Sequence, residues 1–199
     1  MSDEILSTTF YGHAYMAASL ANGPGIRSVI WFQGCTLGCP GCFNPQTHQA
    51  KNRRPVNLPV LFQEINLAIE RHGIEGITIS GGEPFQQPEA LREIIRWVRT
   101  HDRHLSVIVF TGYNADELER MPIWHEIKGS IDVTIAGRYE QGLRVAAGLE
   151  GSANKMFIFS PTSIYCKDDF FHIPPVEIHF TKNGAVISGI RPDFVDNYL

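Results

Sequence analysis

Apolar and polar positions along this chain fall into blocks that switch between two periods. Residues 28–33, Ser-Val-Ile-Trp-Phe-Gln, form a nearly continuous apolar run, the pattern of a strand covered on both faces. From Asn57 the apolar residues Leu58, Leu61, Phe62, Ile65 and Ile69 recur at helical spacing, with Asn57 as the cap and Gly73 as the stop. Ile77-Thr78-Ile79-Ser80 is a β-branched run closed by Gly81-Gly82, and Pro88 then opens a second amphipathic helix through Leu91, Ile94, Ile95 and Val98. Further on, the pattern predicts a strand at 105–110, a short helix at 115–120 and strands near 131–135 and 155–160.

Strand, loop and helix repeated in this order imply parallel strands joined by right-handed crossovers, an α/β fold. The last part departs from that rhythm. Residues 176–180 and 185–188 flank Lys182-Asn183-Gly184, which predicts a C-terminal β-hairpin over about 175–190. The stretch from Asn44 to Asn57, centred on Asn52-Arg53-Arg54-Pro55, is polar and turn-rich and reads as loop. No internal repeat or low-complexity linker interrupts the chain, so residues 1–199 are expected to form one domain.

Composition narrows the function classes. With 17 basic and 21 acidic residues the formal charge is -4, which gives no electrostatic reason to expect direct nucleic-acid binding or an anionic membrane partner. Met1 to Phe10 holds Asp3 and Glu4 and no basic run ahead of a long apolar stretch, and no window of about 18 uninterrupted apolar residues occurs. A cytoplasmic location is expected.

Three of the four cysteines lie within eight residues, in the loop 34–44 that follows the first strand. That is metal-ligand spacing for a reducing compartment rather than a disulfide framework. Cys35, Cys39 and Cys42 would also share one face of a helix, but Gly34, Gly38, Pro40 and Gly41 penalise a helix and favour a loop curling around a metal centre. Zinc in a structural site takes four protein ligands, and no fourth Cys or His is spaced to complete the set, His48 being the nearest. Three thiolates suit a four-iron cluster with one iron left open to a further ligand. Zinc and a purely structural role are the competing readings.

The C-x3-C-x2-C loop resembles that of the radical S-adenosylmethionine (SAM) superfamily. The wider run Asn22-Gly23-Pro24-Gly25-Ile26-Arg27, followed by Gly34-Cys35 and by Cys39 through Pro45, is similar to the glycyl-radical-enzyme activases. Their opening string usually begins with Asp, and here Asn22 replaces the acid. Ser80-Gly81-Gly82-Glu83-Pro84, which alone reads as a glycine turn, resembles the superfamily's Gly-Gly-Glu-Pro segment. Residues 131–139 and Gly151-Ser152-Ala153-Asn154-Lys155 are similar to segments of the anaerobic ribonucleotide reductase activating proteins, as is the tail Ile187 to Pro192.

The resemblance implies a [4Fe-4S] cluster on Cys35, Cys39 and Cys42, with SAM bound to its open iron. It further implies that the backbone at Gly81, Gly82 and Glu83 holds the methionine amino group. Gly41, Cys42 and Phe43 would meet the adenine side, and Thr111, in the Thr111-Gly112-Tyr113 turn, would face the ribose or the carboxylate. A full eight-unit barrel runs to about 250 residues, so a chain of 199 is expected to build a partial (β/α)-barrel of mostly parallel strands with an open side. Only four cysteines leave no room for a ferredoxin-like insert.

The implied activity is installation of a glycyl radical on a partner enzyme, foremost an anaerobic ribonucleotide reductase, with a flavodoxin or ferredoxin as electron donor. Because the cofactor carries the chemistry, no acid-base residue is expected, and His13, His48, His72, His125 and His172 are read as surface or core residues, Cys166 as a lone thiol. The rivals are a radical SAM enzyme of the deazapurine-precursor type, a peptide-modifying one, and a non-enzymatic zinc or iron-sulfur module.

Overall fold

The computed structural model describes residues 9–49, 54–145, 148–181 and 184–190. The expectations placed on residues 1–8, on Asn52-Arg53, on the Lys182-Asn183 turn and on Arg191-Pro192 lie outside the described residues. One large sheet carries the molecule. Its strands in chain order are β1 (Thr9–Ser19), β2 (Arg27–Phe32), β3 (Arg54–Asn57), β4 (Gly76–Gly81), β5 (Ser106–Thr111), β6 (Val133–Ala136) and β7 (Met156–Phe159), ordered in space as β3-β1-β2-β4-β5-β6-β7. The middle pairs β2–β4, β4–β5 and β5–β6 are parallel, whereas β1 is antiparallel to β2 and β3, and β7 to β6. Among the described residues β3 and β7 are edges that do not pair with each other. A separate two-stranded hairpin, β8 (Val176–Thr181) with β9 (Gly184–Gly189), matches the expected C-terminal element.

Helices α1 (Leu58–His72) and α2 (Pro88–His101) follow the predicted spacing, and each has a proline in its first turn, where the missing N–H costs nothing. Their apolar stripes, Leu58, Leu61, Phe62 and Ile65 with Leu91, Ile94, Ile95 and Val98, bury against Ile30, Phe32, Ile77, Ile79, Val107 and Val109 of the sheet. Two short helices, α3 (Ala115–Leu118) and α4 (Pro122–Ile127), follow β5; Asn114 caps α3 in a capping box with Glu117.

Alternation with period two sends the neighbouring residues of the same strands to the other face: Arg27, Val29 and Trp31 of β2, Thr78 and Ser80 of β4, and Ser106, Ile108 and Phe110 of β5. At one end of that face sits Arg27, fully buried. Its guanidinium donates to Thr78 Oγ1 (2.8 Å), Ser106 Oγ (2.8 Å), the Ser106 carbonyl (3.0 Å) and the Ile77 carbonyl (2.9 Å). The motif arginine therefore stitches three parallel strands together. At the opposite, C-terminal end of the same strands lies the cavity described next, where parallel α/β folds place their sites.

Two strands escape the sequence reading. β1 takes up residues 9–19 and β3 falls inside the stretch read as loop. Both lie at the exposed margin of the sheet, where an apolar run is not required.

Candidate functional site

Three segments leave the C-terminal ends of β2, β4 and β5 and interlock. The cysteine loop is anchored by the Gly34 N–H to the Thr47 carbonyl (2.7 Å) and the Cys35 N–H to the His48 carbonyl (3.3 Å). The β4 segment crosses it closely: Gly82 N–H donates to the Phe32 carbonyl (2.8 Å) and Glu83 N–H to the Gly34 carbonyl (2.9 Å). A Cβ on Gly82 would overlap the Gly34 carbonyl, and Gly81 has φ +106, so this crossing requires both glycines. Leu37 of the cysteine loop lies directly over Gly112 after β5.

Glu83 ties the second segment to the third. Its side chain is wholly buried and accepts from Thr111 Oγ1 (2.8 Å), Gly112 N–H (2.8 Å) and Phe85 N–H (3.0 Å). Burial pushes its carboxyl up to about 7, against the pull of those donors and of Lys155. Arg138, after β6, pairs bidentately with Glu117 (2.7 and 2.9 Å) and donates to the Gly112 carbonyl, holding the β5 loop from the outside.

These segments enclose a cavity of about 390 Å³, within the range of small-molecule sites. Of the residues singled out from the sequence, Cys35, Cys39, Cys42, Phe43, Gly81, Gly82, Glu83 and Thr111 all line it, and Gly41 does not. Gly41 instead turns outward at φ +67, with Gln141 against it. The Phe43 ring packs on Tyr139, with centroids 4.5 Å apart, and against Gly151. Cys166 is exposed and lies away from the cavity.

The donor set fits an iron-sulfur cluster. Three half-buried thiols border one wall, and among the described residues no three His, Cys, Asp or Glu side chains converge tightly enough for a single metal ion. Burial pushes the Cys35 and Cys42 thiols up, while the Asn44 N–H and Lys155 pull Cys42 down. Thiolate ligation would therefore release protons, and cationic irons would supply the compensating charge.

Sequence reasoning missed several residues of the wall. His13 and His48 border the cavity, His13 Nδ1 lying 2.7 Å from Gln33 Oε1, while His72, His125 and His172, read as surface or core residues, are exposed. Lys155 is the cavity's lysine, half-buried, and it has no carboxylate within 4.0 Å among the described residues. Burial lowers its ammonium, opposed by the negative charge of Glu83, Cys39 and Cys42. Asn22 and residues 186–190 of the hairpin complete the outer wall. Asn22, Lys155 and the tail from Ile187 stand in segments that carry the resemblance, but no local pattern shows that they meet at one cavity with His13 and His48.

Residues 21–158 match the family model of the 4Fe-4S single cluster domain. The chain is 30% identical to the anaerobic ribonucleoside-triphosphate reductase-activating protein of Escherichia coli (strain K12), over 72% of this chain and 95% of the relative. To the protein of the same name from Enterobacteria phage T4 it is 29% identical, over 67% and 84%. To the pyruvate formate-lyase-activating enzyme of Clostridium pasteurianum it is 34% identical, over 55% of this chain and 46% of the relative.

Proposed function

The chain belongs to the 4Fe-4S single cluster domain family, and from that premise we propose that it is a radical SAM activating enzyme that installs a glycyl radical on an anaerobic ribonucleotide reductase. The observation that carries this reading is one cavity bordered by Cys35, Cys39 and Cys42 on one side and Gly81, Gly82 and Glu83 on another. When bound, a [4Fe-4S] cluster with SAM supplies reductive cleavage to methionine and an adenosyl radical able to remove a hydrogen atom from glycine.

The chain's own residues bind, orient and exclude solvent. Cys35, Cys39 and Cys42 would hold three irons as thiolates and leave the fourth open. The backbone carbonyls of the close-packed Gly81-Gly82 crossing would accept from the methionine ammonium, and Lys155, in the same cavity wall, would pair with the carboxylate. The carboxyl of Glu83 is committed to Thr111 and Gly112, so it fixes the two loops to each other. The Phe43–Tyr139 pair would give the adenine an apolar wall.

The reductase reading is favoured over pyruvate formate-lyase by extent: the E. coli reductase-activating relative is matched over 95% of its length, the lyase-activating one over 46%. We take the sheet as a partial barrel whose unpaired edges β3 and β7 leave a side open to a protein loop. A cytoplasmic flavodoxin or ferredoxin suits the low-potential electron. Among the described residues no helix is long and apolar enough to cross a membrane.

The test is anaerobic reconstitution with iron and sulfide, then reductant and SAM, with 5′-deoxyadenosine measured by chromatography and the glycyl radical of an added anaerobic reductase by electron paramagnetic resonance. Both signals are expected, and both are lost in Cys39→Ala. Deoxyadenosine without a radical on the reductase would overturn the partner assignment. A cluster that cleaves no SAM would overturn the enzyme reading.

A further inference from the structure

The hairpin β8–β9 is bonded to the β1–β2 turn through few groups. Glu177 and Ser188 are direct cross-strand partners, so both point to the same face of the hairpin. Glu177 Oε2 accepts from the Leu20 N–H (2.9 Å), and Oε1 accepts from the Ser19 hydroxyl. The Asn22 side-chain amide donates to Ser19 Oγ (2.7 Å) and Ser188 Oγ (2.7 Å), with Glu177 Oε1 at 3.4 Å. His179, two residues on in β8 and so on the same face, has its buried Nε2 3.2 Å from Glu177 Oε2. Asn22 is itself rooted in the sheet: its carbonyl accepts from Thr78 Oγ1 (2.7 Å), which in turn accepts from Arg27 Nε (2.8 Å). Asn22 and Ser188 both line the cavity.

An amide at position 22 supplies two N–H donors to a cluster otherwise made of hydroxyls and a carboxylate. An acid there would supply none and would set a second carboxylate against Glu177, in a place where the neighbouring Ser19 and Ser188 are nearly excluded from solvent. Two carboxylates at that separation cannot both ionise without cost, and the hairpin is the element free to give way.

We propose that Asn22 and Glu177 form a positioning pair that seats the β8–β9 hairpin as the outer wall of the cavity, position 22 carrying an amide because the hairpin brings the carboxylate. The consequence for cofactor binding rests on the function proposed above; the pairing itself does not. Neither residue touches the cluster cysteines. They act by fixing Ser188 and the β9 backbone in the wall of the cavity, where the cofactor would bind.

The test is a double-mutant cycle in the full chain: wild type, Asn22→Asp, Glu177→Gln and the double variant. Hydrogen-deuterium exchange of the 176–190 segment is followed alongside SAM binding to cluster-loaded protein at matched iron content. Asn22→Asp, which sets two carboxylates together, and Glu177→Gln, which turns an amide N–H toward the donors at Leu20 or at Ser19 and Asn22, are each expected to raise exchange in the hairpin and weaken SAM binding about 10-fold. The double variant, in which amide and acid have traded places, is expected to return to within about 3-fold of wild type, the coupling of residues in contact or in one hydrogen-bond network. An unaltered Asn22→Asp hairpin, or equal loss in the single and double variants, would overturn the pair. Wild-type protein that loads a cluster and binds no SAM would sink the functional reading, while the exchange data still decide the pairing.

Discussion

The hydroxyl of Thr111 donates to Glu83 Oε1 at 2.8 Å inside a site where the carboxylate has no exposed surface. That contact joins the ends of β4 and β5, and it makes one acidic group responsible for a pH dependence. Burial holds the Glu83 carboxyl at about 7 in the folded chain, above its ordinary 4.5. Between those two values the folded state binds the extra proton, so stability is fully present below pH 4.5, falls as the pH rises to 7 and is flat above. The slope contributed by this group is at most about 1.4 kcal/mol per pH unit. Urea unfolding of the cluster-free protein at several pH values should show the decline in wild type and lack it in Glu83→Gln. Parallel slopes for the two proteins would disprove the assignment.

The Gly82 crossing makes a sharper mutational prediction. Alanine there must displace the Gly34 carbonyl, a backbone atom directly attached to the cysteine loop, so Gly82→Ala is expected to cost about 2–4 kcal/mol and to lower iron uptake. Gly38, in the middle of the same loop, has φ +64 with nothing within 4 Å of an added Cβ. Gly38→Ala should therefore cost only about 1 kcal/mol, from backbone conformation alone. Equal losses in thermal melting would show that crowding at Gly82 is not what fixes the crossing.

Arg27 carries a buried positive charge with carbonyls and hydroxyls as partners and, among the described residues, no carboxylate in contact. Arg27→Lys keeps the charge but has one nitrogen for a site that engages three, and it is expected to destabilise by about 3–5 kcal/mol. Ser106→Ala removes one acceptor and should cost about 1–2 kcal/mol. Denaturant midpoints distinguish the two. A lysine variant as stable as wild type would mean that the strands do not depend on the guanidinium.

The contrast between what the sequence reveals and what it hides follows from burial. β2, β4, β5 and β6 are covered on both faces, so their apolar runs are visible without context. β1 alternates irregularly and is largely half-exposed, with Gly12, Ala14, Ala17 and Ala18 in place of bulky residues. β3 contains Arg54 and Pro55 at a sheet edge, a composition that reads as loop. Cys35, Cys39 and Cys42 are legible because they stand within eight residues of one another. Glu83 is legible as a motif residue, but its buried bond to Thr111 is not. His13, Asn22, Lys155 and Ser188 reach the cavity only through the fold.

Lys155 gives the last prediction, in which binding and stability move in opposite directions. Its ammonium stands in the cavity wall with no carboxylate within 4.0 Å among the described residues, and burial disfavours its charge. A cation kept in that condition destabilises the empty protein and is useful only to an anionic ligand group. Replacing it with methionine, of similar length and uncharged, should therefore raise the melting temperature of the cluster-free chain. SAM binding to the cluster-loaded variant should weaken by about 10- to 100-fold, the loss of one charge-assisted hydrogen bond, with Lys155→Arg retaining most of the affinity. Calorimetric titration with decarboxylated SAM isolates the group concerned. If Lys155 meets the carboxylate, wild type and Lys155→Met bind that analogue equally; if both ligands weaken alike, the lysine shapes the wall and does not recognise the acid.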